Sequence, residues 1–276
     1  MRTCVLFHQN CPDGHGAAWA AWKKLGDEGV KYVPVKYGDS PPTEKVDFFH
    51  DRVYILDFSY PRAIMLGLYN MTLVGGGELL VIDHHKTAEA DLEGLLFAHF
   101  NMEKSGAVLA WEHFHPDKPV PWLLRYVEDH DLWRYKLPYS KEIRAWLSSH
   151  PRTFEVWEEL AGRLEGRDDG VIVEGKACLR LMRQSVEYMV EQSRIQDVGG
   201  VVMPVANAAI YFSEVGEALL AKYLEYDVVA YYFDRADGKR QWGLRSRESY
   251  DCSELAKRMG GGGHRNASGF IVDGGM

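Results

Sequence analysis

The sequence predicts an α/β protein: a mostly parallel-sheet domain joined by a helical linker to a smaller α/β carboxyl-terminal domain. Three observations lead there. Short apolar, β-rich runs alternate with helix-like segments through the first part of the chain, the pattern of βαβ units and so of a parallel sheet. His8, Asp57 and Asp83 each stand directly after such a run, where ligand-binding groups collect outside the carboxyl ends of parallel strands. After Gly199-Gly200 the alternation starts again, which marks a second domain.

In order, residues 3–7 read as a strand, 16–25 as an alanine-rich helix, 31–37 and 53–56 as strands and 61–69 as a helix. Residues 78–82 (ELLVI) form a buried-strand candidate that ends at Asp83, and 105–114 a helix with Ser105 near its start. Residues 174–196 carry leucine, methionine and valine among charges at helical spacing, which predicts a connecting helix. Beyond it come a strand over 201–205, a helix over 214–224, strands over 227–233 and 241–244, and a glycine run over 260–263 that leads into a strand-like FIVDG. The expected domains are 1–173, a helical linker over 174–198, and 199–276. A chain of 276 residues, 46% hydrophobic, has core enough for one large and one small domain.

Composition narrows the function. A net charge of −8 provides no basic field for a long duplex, so a nucleic-acid ligand should be short. Cys4, Cys11, Cys178 and Cys252 show no zinc or thioredoxin spacing and read as packing thiols of a reducing compartment. No stretch is long and apolar enough to span a bilayer and the amino terminus has no cleavage pattern, so a soluble cytoplasmic protein without a membrane partner is expected.

Four groups of residues carry chemistry. In HQNCPDGHGAAWAAW, His8, Asp13 and His15 lie on a strand–turn–helix junction, which by itself also suits a capped turn. Asp57 closes VYILD. Asp83, His84 and His85 are consecutive at a strand end, and a surface turn has no need of two imidazoles. Asp129, His130 and Asp131 in YVEDHDLW offer another carboxylate or a solvated helix end. Imidazole and carboxylate donors, with Cys11 the one thiol among them, favour manganese, magnesium or a similar divalent ion. In the second domain the glycine run reads as an anion-binding nest, with His264 and Asn266 beside it. Arg245 and Arg247 read as phosphate-gripping side chains. Trp111, Trp122 and Trp133 read as core.

In order and spacing these segments resemble the motifs of the DHH phosphoesterase superfamily, with GGGGHRNASGF similar to the glycine-histidine signature of its associated carboxyl-terminal domain. The resemblance covers nearly the whole chain and points to the nano-RNase and oligoribonuclease-like branch. It implies a catalytic metal-binding domain and a substrate-binding domain. It further implies metal ligation by His8, Asp13, Asp57, His84 and an aspartate of the EDHD segment, Asp129 first and Asp131 second, with Asp57 bridging two ions. Asp83 would orient an imidazole and His85 would meet the phosphate. Arg245, Gly261, Gly262, Gly263, His264 and Asn266 would bind substrate.

The implied cofactor is a pair of divalent ions, manganese first, with magnesium or cobalt as alternatives. The implied activity is hydrolysis of dinucleotides or short oligonucleotides to nucleoside monophosphates. Cyclic (di)nucleotide phosphodiesterase, nucleoside bisphosphate phosphatase and non-catalytic nucleotide sensor are the alternatives, and a homodimer follows by analogy. The first motif departs from the family pattern, with one extra residue and only one carboxylate between His8 and Gly14. Asn10 or His15 is the expected stand-in, or else a looser first site.

Overall fold

The computed structural model describes residues 1–274, in two compact units, Met1–Cys178 and the described residues from Leu179 on. The first contains β1 (Thr3–His8), α1 (Pro12–Leu25), β2 (Val30–Val35), β3 (Arg52–Leu56), α2 (Arg62–Gly75), β4 (Glu78–Asp83), α3 (Lys86–Asp91), β5 (Ala98–Phe100), α4 (Gly106–Phe114), α5 (Trp122–Asp131), α6 (Ser140–Ser148), α7 (Phe154–Glu165) and the start of α8 (Asp169–Glu191). The second contains the rest of α8, then β6 (Arg194–Val198), β7 (Val201–Asn207), α9 (Phe212–Lys222), β8 (Val228–Asp234), β9 (Lys239–Ser246), α10 (Cys252–Arg258), β10 (Gly262–His264) and β11 (Ala267–Asp273). No helix among the described residues is long and apolar enough to cross a membrane.

The first sheet is all parallel in the order β2-β1-β3-β4-β5. Alternate residues of its strands feed two cores. Val5, Phe7, Leu56 and Ile82 face the side of α1 and α4, and Cys4, Leu6, Val53, Ile55 and Val81 face Met65 and Leu68 of α2. Each fully buried aliphatic side chain contributes roughly 1.5–3 kcal/mol. Helix α1 starts with Pro12 and Asp13, ends on Lys23 and Lys24, and stops at Gly26, the order its dipole and first turn favour. Its buried Ala17, Ala18, Ala20 and Ala21 keep that face flat enough for α4 to pack closely. The chain leaves β1 for β2 on one side and reaches β3 on the other, so the switch point lies between the carboxyl ends of β1 and β3.

At the edge of the second core, Asp51 precedes β3 and is buried. It accepts hydrogen bonds from Arg2 Nη2 (2.7 Å), the Asp47 amide (3.0 Å) and Cys4 Sγ (3.3 Å). Burial pushes its carboxyl up, but these partners outweigh that and hold it below its ordinary value of 3.8. The stabilisation is therefore complete above that value and is lost as pH falls toward the lower folded one. Asp51→Asn should cost about 1–2 kcal/mol in urea unfolding at neutral pH, and the gap from the native chain should shrink near pH 3. An equal gap at both pH values would rule this linkage out.

In the second unit a mixed sheet runs β10-β11-β9-β8-β7-β6, with only β7 and β8 parallel. The structure corrects the connecting helix. α8 ends at Glu191, and Arg194–Val198 forms β6 instead of continuing it. Gly199 and Gly200 have φ of +62° and +84° and join Val198 to Val201, a two-residue hairpin turn of the kind that needs positive φ at both positions. What looked like a helix break is therefore a hairpin whose first strand had been read as helix.

Candidate metal centre

Three strands deliver polar groups to one crevice, because β1, β3 and β4 are neighbours that end at His8, just before Asp57, and at Asp83. Asp57 has φ +58°, a left-handed backbone that costs energy for a non-glycine residue and clusters at functional sites. Its amide donates to Ile82 O (2.9 Å), which holds this conformation. A side chain at Gly106 would put its Cβ 2.6 Å from Asp57 Cβ, so glycine there lets the start of α4 close over the carboxylate. The amides of Gly106 and Ala107 donate to Asp13 Oδ2 (2.6 Å) and Oδ1 (2.9 Å), which satisfies the first turn of α4 and ties α1 to it.

The cluster is organised around two imidazoles. His84 Nε2 stands 3.4 Å from Asp13 Oδ2, 3.3 Å from Asp57 Oδ1 and 3.4 Å from Asp131 Oδ2. His8 Nδ1 stands 3.5 Å from Asp57 Oδ2. These gaps are longer than hydrogen bonds. They match donors sharing one ion, since tetrahedral bonds of about 2.0–2.1 Å place ligands roughly 3.3–3.4 Å apart. Both Asp57 oxygens and His8 Nδ1 are buried without a hydrogen-bond partner, although Asp57 is only 1% exposed. The two Asp57 oxygens face different imidazoles, the disposition of a carboxylate shared between two sites.

The charges point the same way. Burial and the Asp57 and Asp131 carboxylates push Asp13 well above the usual range, and burial and Asp57 push Asp131 up to about 6. Burial also opposes the charge on Asp57, but His8, His84 and His85 overcome it and hold that carboxyl well below the usual range. Three crowded carboxylates that cannot all ionise comfortably form a donor set that divalent cations would relieve. The residues present therefore fit such ions. Asp83 is fully buried and accepts from His85 Nδ1 (2.7 Å) and from the amides of His84 (2.7 Å) and His85 (3.3 Å). Burial would lower the His85 imidazole, yet Asp83, Asp57 and Asp131 raise it to about 9.

His8, Asp13, Asp57, His84, Asp131, Asp83 and His85 thus come together, and Asp129 does not. Asp129 Oδ1 and Oδ2 accept from the amides of Lys136 (2.9 Å) and Leu137 (3.3 Å), so it pins the turn after α5, and the preference for Asp129 gives way to Asp131. His15 is no stand-in ligand, because its ring packs on Phe154 and Trp157 and burial lowers it to about 4, a neutral core histidine. Two further residues stand at the crevice, Cys11, which the sequence allows as a thiolate donor, and Tyr37, which it does not mark. Cys11 offers its Sγ together with His8 and Asp57, all within 4.8 Å. Tyr37 sets its ring 5.0 Å from His8 and 5.9 Å from His85. The HxxC spacing was a signal for Cys11; nothing marked Tyr37.

The second-unit expectations change more. The amides of Gly260 and Gly261 donate to Lys257 O (3.0 Å) and Ala256 O (2.8 Å), closing α10, and Gly262, Gly263 and His264 form edge strand β10 paired with β11. The glycine run is thus a helix end followed by an edge strand, with the Gly260 and Gly261 amides already taken. Asn266 Nδ2 donates to Arg247 O (2.8 Å), Ser246 Oγ (3.1 Å) and Ser246 O (3.2 Å), so its amide nitrogen braces the Ser246–Arg247 backbone. Arg247 donates to Leu220 O (2.5 Å) and Tyr226 O (3.2 Å), likewise as a brace. Arg245, which reaches Ser213 Oγ (3.0 Å) and Leu244 O (3.1 Å), is half-buried.

No family model matches the chain. An uncharacterized protein of Acanthamoeba polyphaga mimivirus is 29% identical over 290 residues, covering 98% of this chain and 67% of that protein. Similar solved structures include an exopolyphosphatase-related protein from Bacteroides fragilis, with TM-score 0.55 and 14% identity over 99% of this chain and 87% of that one. RecJ from Thermus thermophilus in complex with Mn2+ has TM-score 0.52 and 17% identity over 99% and 49%. A pGpG-specific phosphodiesterase from Vibrio cholerae has TM-score 0.51 and 15% identity over 99% and 94%. At these identities the likeness shows a fold shared with these structures over nearly the whole of this chain.

Proposed function

We propose that this chain is a divalent-metal-dependent phosphodiesterase that hydrolyses dinucleotides or short oligonucleotides to nucleoside monophosphates. The observation that carries the reading is the pair of unpartnered, buried Asp57 oxygens, one facing His8 and the other His84. His8 and Asp57 would hold one ion, and Asp13, His84, Asp131 and the same Asp57 the other, with manganese, the ion in the RecJ complex above, first and magnesium or cobalt as substitutes. Bound there, such ions supply a nucleophile from water at neutral pH and neutralise charge on the phosphate. Asp83 fixes the His85 ring and favours its cationic form, which places a positive donor beside the reacting phosphate. The neighbour named as a pGpG-specific phosphodiesterase supports a dinucleotide-sized substrate.

In the second unit Arg245 remains the substrate-gripping candidate. Arg245→Ala should raise KM about tenfold with kcat nearly unchanged, the pattern of lost ground-state binding; an unchanged KM would remove it from the substrate's contacts. The activity itself is tested with chelator-treated protein, with and without manganese, on a diribonucleotide, a five-residue oligoribonucleotide, a cyclic dinucleotide and a nucleoside bisphosphate. Manganese-dependent mononucleotide release, fastest from the diribonucleotide, is expected. Tight binding of nucleotide without turnover of any substrate would refute the enzyme and leave a sensor.

A further inference from the structure

The first motif has one carboxylate where the resemblance leads one to expect two, yet the crevice beside His8 does not lack a third anionic donor. Asn10 takes a left-handed backbone, φ +62°, which absorbs the extra residue and returns the chain so that Cys11 caps the start of α1. Its Sγ, a His8 ring nitrogen and an Asp57 carboxylate oxygen all lie within 4.8 Å of one another. The independent observation is again Asp57, 1% exposed, whose Oδ2 has no hydrogen-bond partner and faces the equally unpartnered His8 Nδ1 at 3.5 Å. Those buried atoms converge where the sulfur stands. Cys4, Cys178 and Cys252 belong to no such donor group among the described residues.

We propose that Cys11 is a thiolate ligand of the first ion, replacing the charge of the expected carboxylate while making that site softer. This rests on the two-ion reading above. As the ion binds, the thiol proton passes to solvent and a metal–sulfur bond forms, so the donor set keeps its charge count. A mixed imidazole, thiolate and carboxylate site prefers zinc, cobalt or ferrous iron to magnesium, whereas the Asp13, His84 and Asp131 group remains suited to manganese or magnesium. The two sites of this chain should then differ in metal preference.

The test is a cobalt(II) titration of the full chelator-treated chain, followed by absorption. A near-ultraviolet sulfur-to-cobalt charge-transfer band should grow alongside the visible cobalt bands. Cys11→Ser should lose the charge-transfer band and keep visible bands from the second site, and Cys178→Ser should keep both. Visible bands without the charge-transfer band in the native chain, or a band that survives Cys11→Ser, would overturn the ligand role while leaving the metal centre standing. Failure of the native chain to bind cobalt at all would sink the metal-centre reading and the proposal with it. If Cys11→Ser does not fold, Cys11→Asp retains the charge. It should bind metal without the band, with competition shifted from zinc toward manganese; unchanged selectivity overturns the proposal.

Discussion

Asp57→Asn is expected to lower kcat by roughly 10³-fold or more, about 4 kcal/mol of transition-state stabilisation. Asparagine is the informative replacement because Asp57 has φ +58°, a conformation that asparagine tolerates and alanine does not. The variant keeps the shape and removes only the charge that faces His8 and His84. Metal-free stability should be unchanged or higher, since a carboxylate that pushes Asp13 and Asp131 upward is gone. Circular dichroism and thermal unfolding separate the two effects. Near-native turnover in a folded Asp57→Asn chain would remove Asp57 from the centre.

The second large effect is a contrast between residues two apart on one helix. Asp131→Asn should cost about 10²-fold or more in kcat with little change in stability, because its Oδ2 faces His84 at 3.4 Å. Asp129→Ala should do the reverse, destabilising by about 1–3 kcal/mol as the Lys136 and Leu137 amides lose their acceptor. Residual turnover in the folded fraction of Asp129→Ala should be near native. If instead Asp129→Ala abolishes turnover at full folding and Asp131→Asn does not, the assignment is reversed.

These two cases also show what a linear sequence can reveal. Strands ending at His8 and Asp83, and one ending just before Asp57, were legible because apolar runs stop abruptly at polar residues, and the parallel order of β1, β3 and β4 then brings those residues together. Asp129 and Asp131 were not separable, since two helical residues differ by about 200° around the axis, and only packing decides which face meets the crevice. Cys11 reads from sequence both as a packing thiol and as the one thiolate donor on offer, because the left-handed turn at Asn10, which decides between them, is invisible in composition. The glycine run also hides local structure. Four glycines resemble a phosphate nest, and the sequence does not show that the amides of Gly260 and Gly261 are taken by α10 carbonyls. β6 was hidden inside a helical pattern because its partner lies across a turn that local periodicity does not register.

The most direct measurement of the central claim is the number of manganese ions bound by the chelator-treated chain in equilibrium dialysis, native and Asp57→Asn side by side. A shared carboxylate between two donor groups predicts two ions per native chain and a loss of affinity at both sites in the variant. No manganese bound by the native chain, or binding that Asp57→Asn leaves untouched, would contradict a two-ion centre built on Asp57.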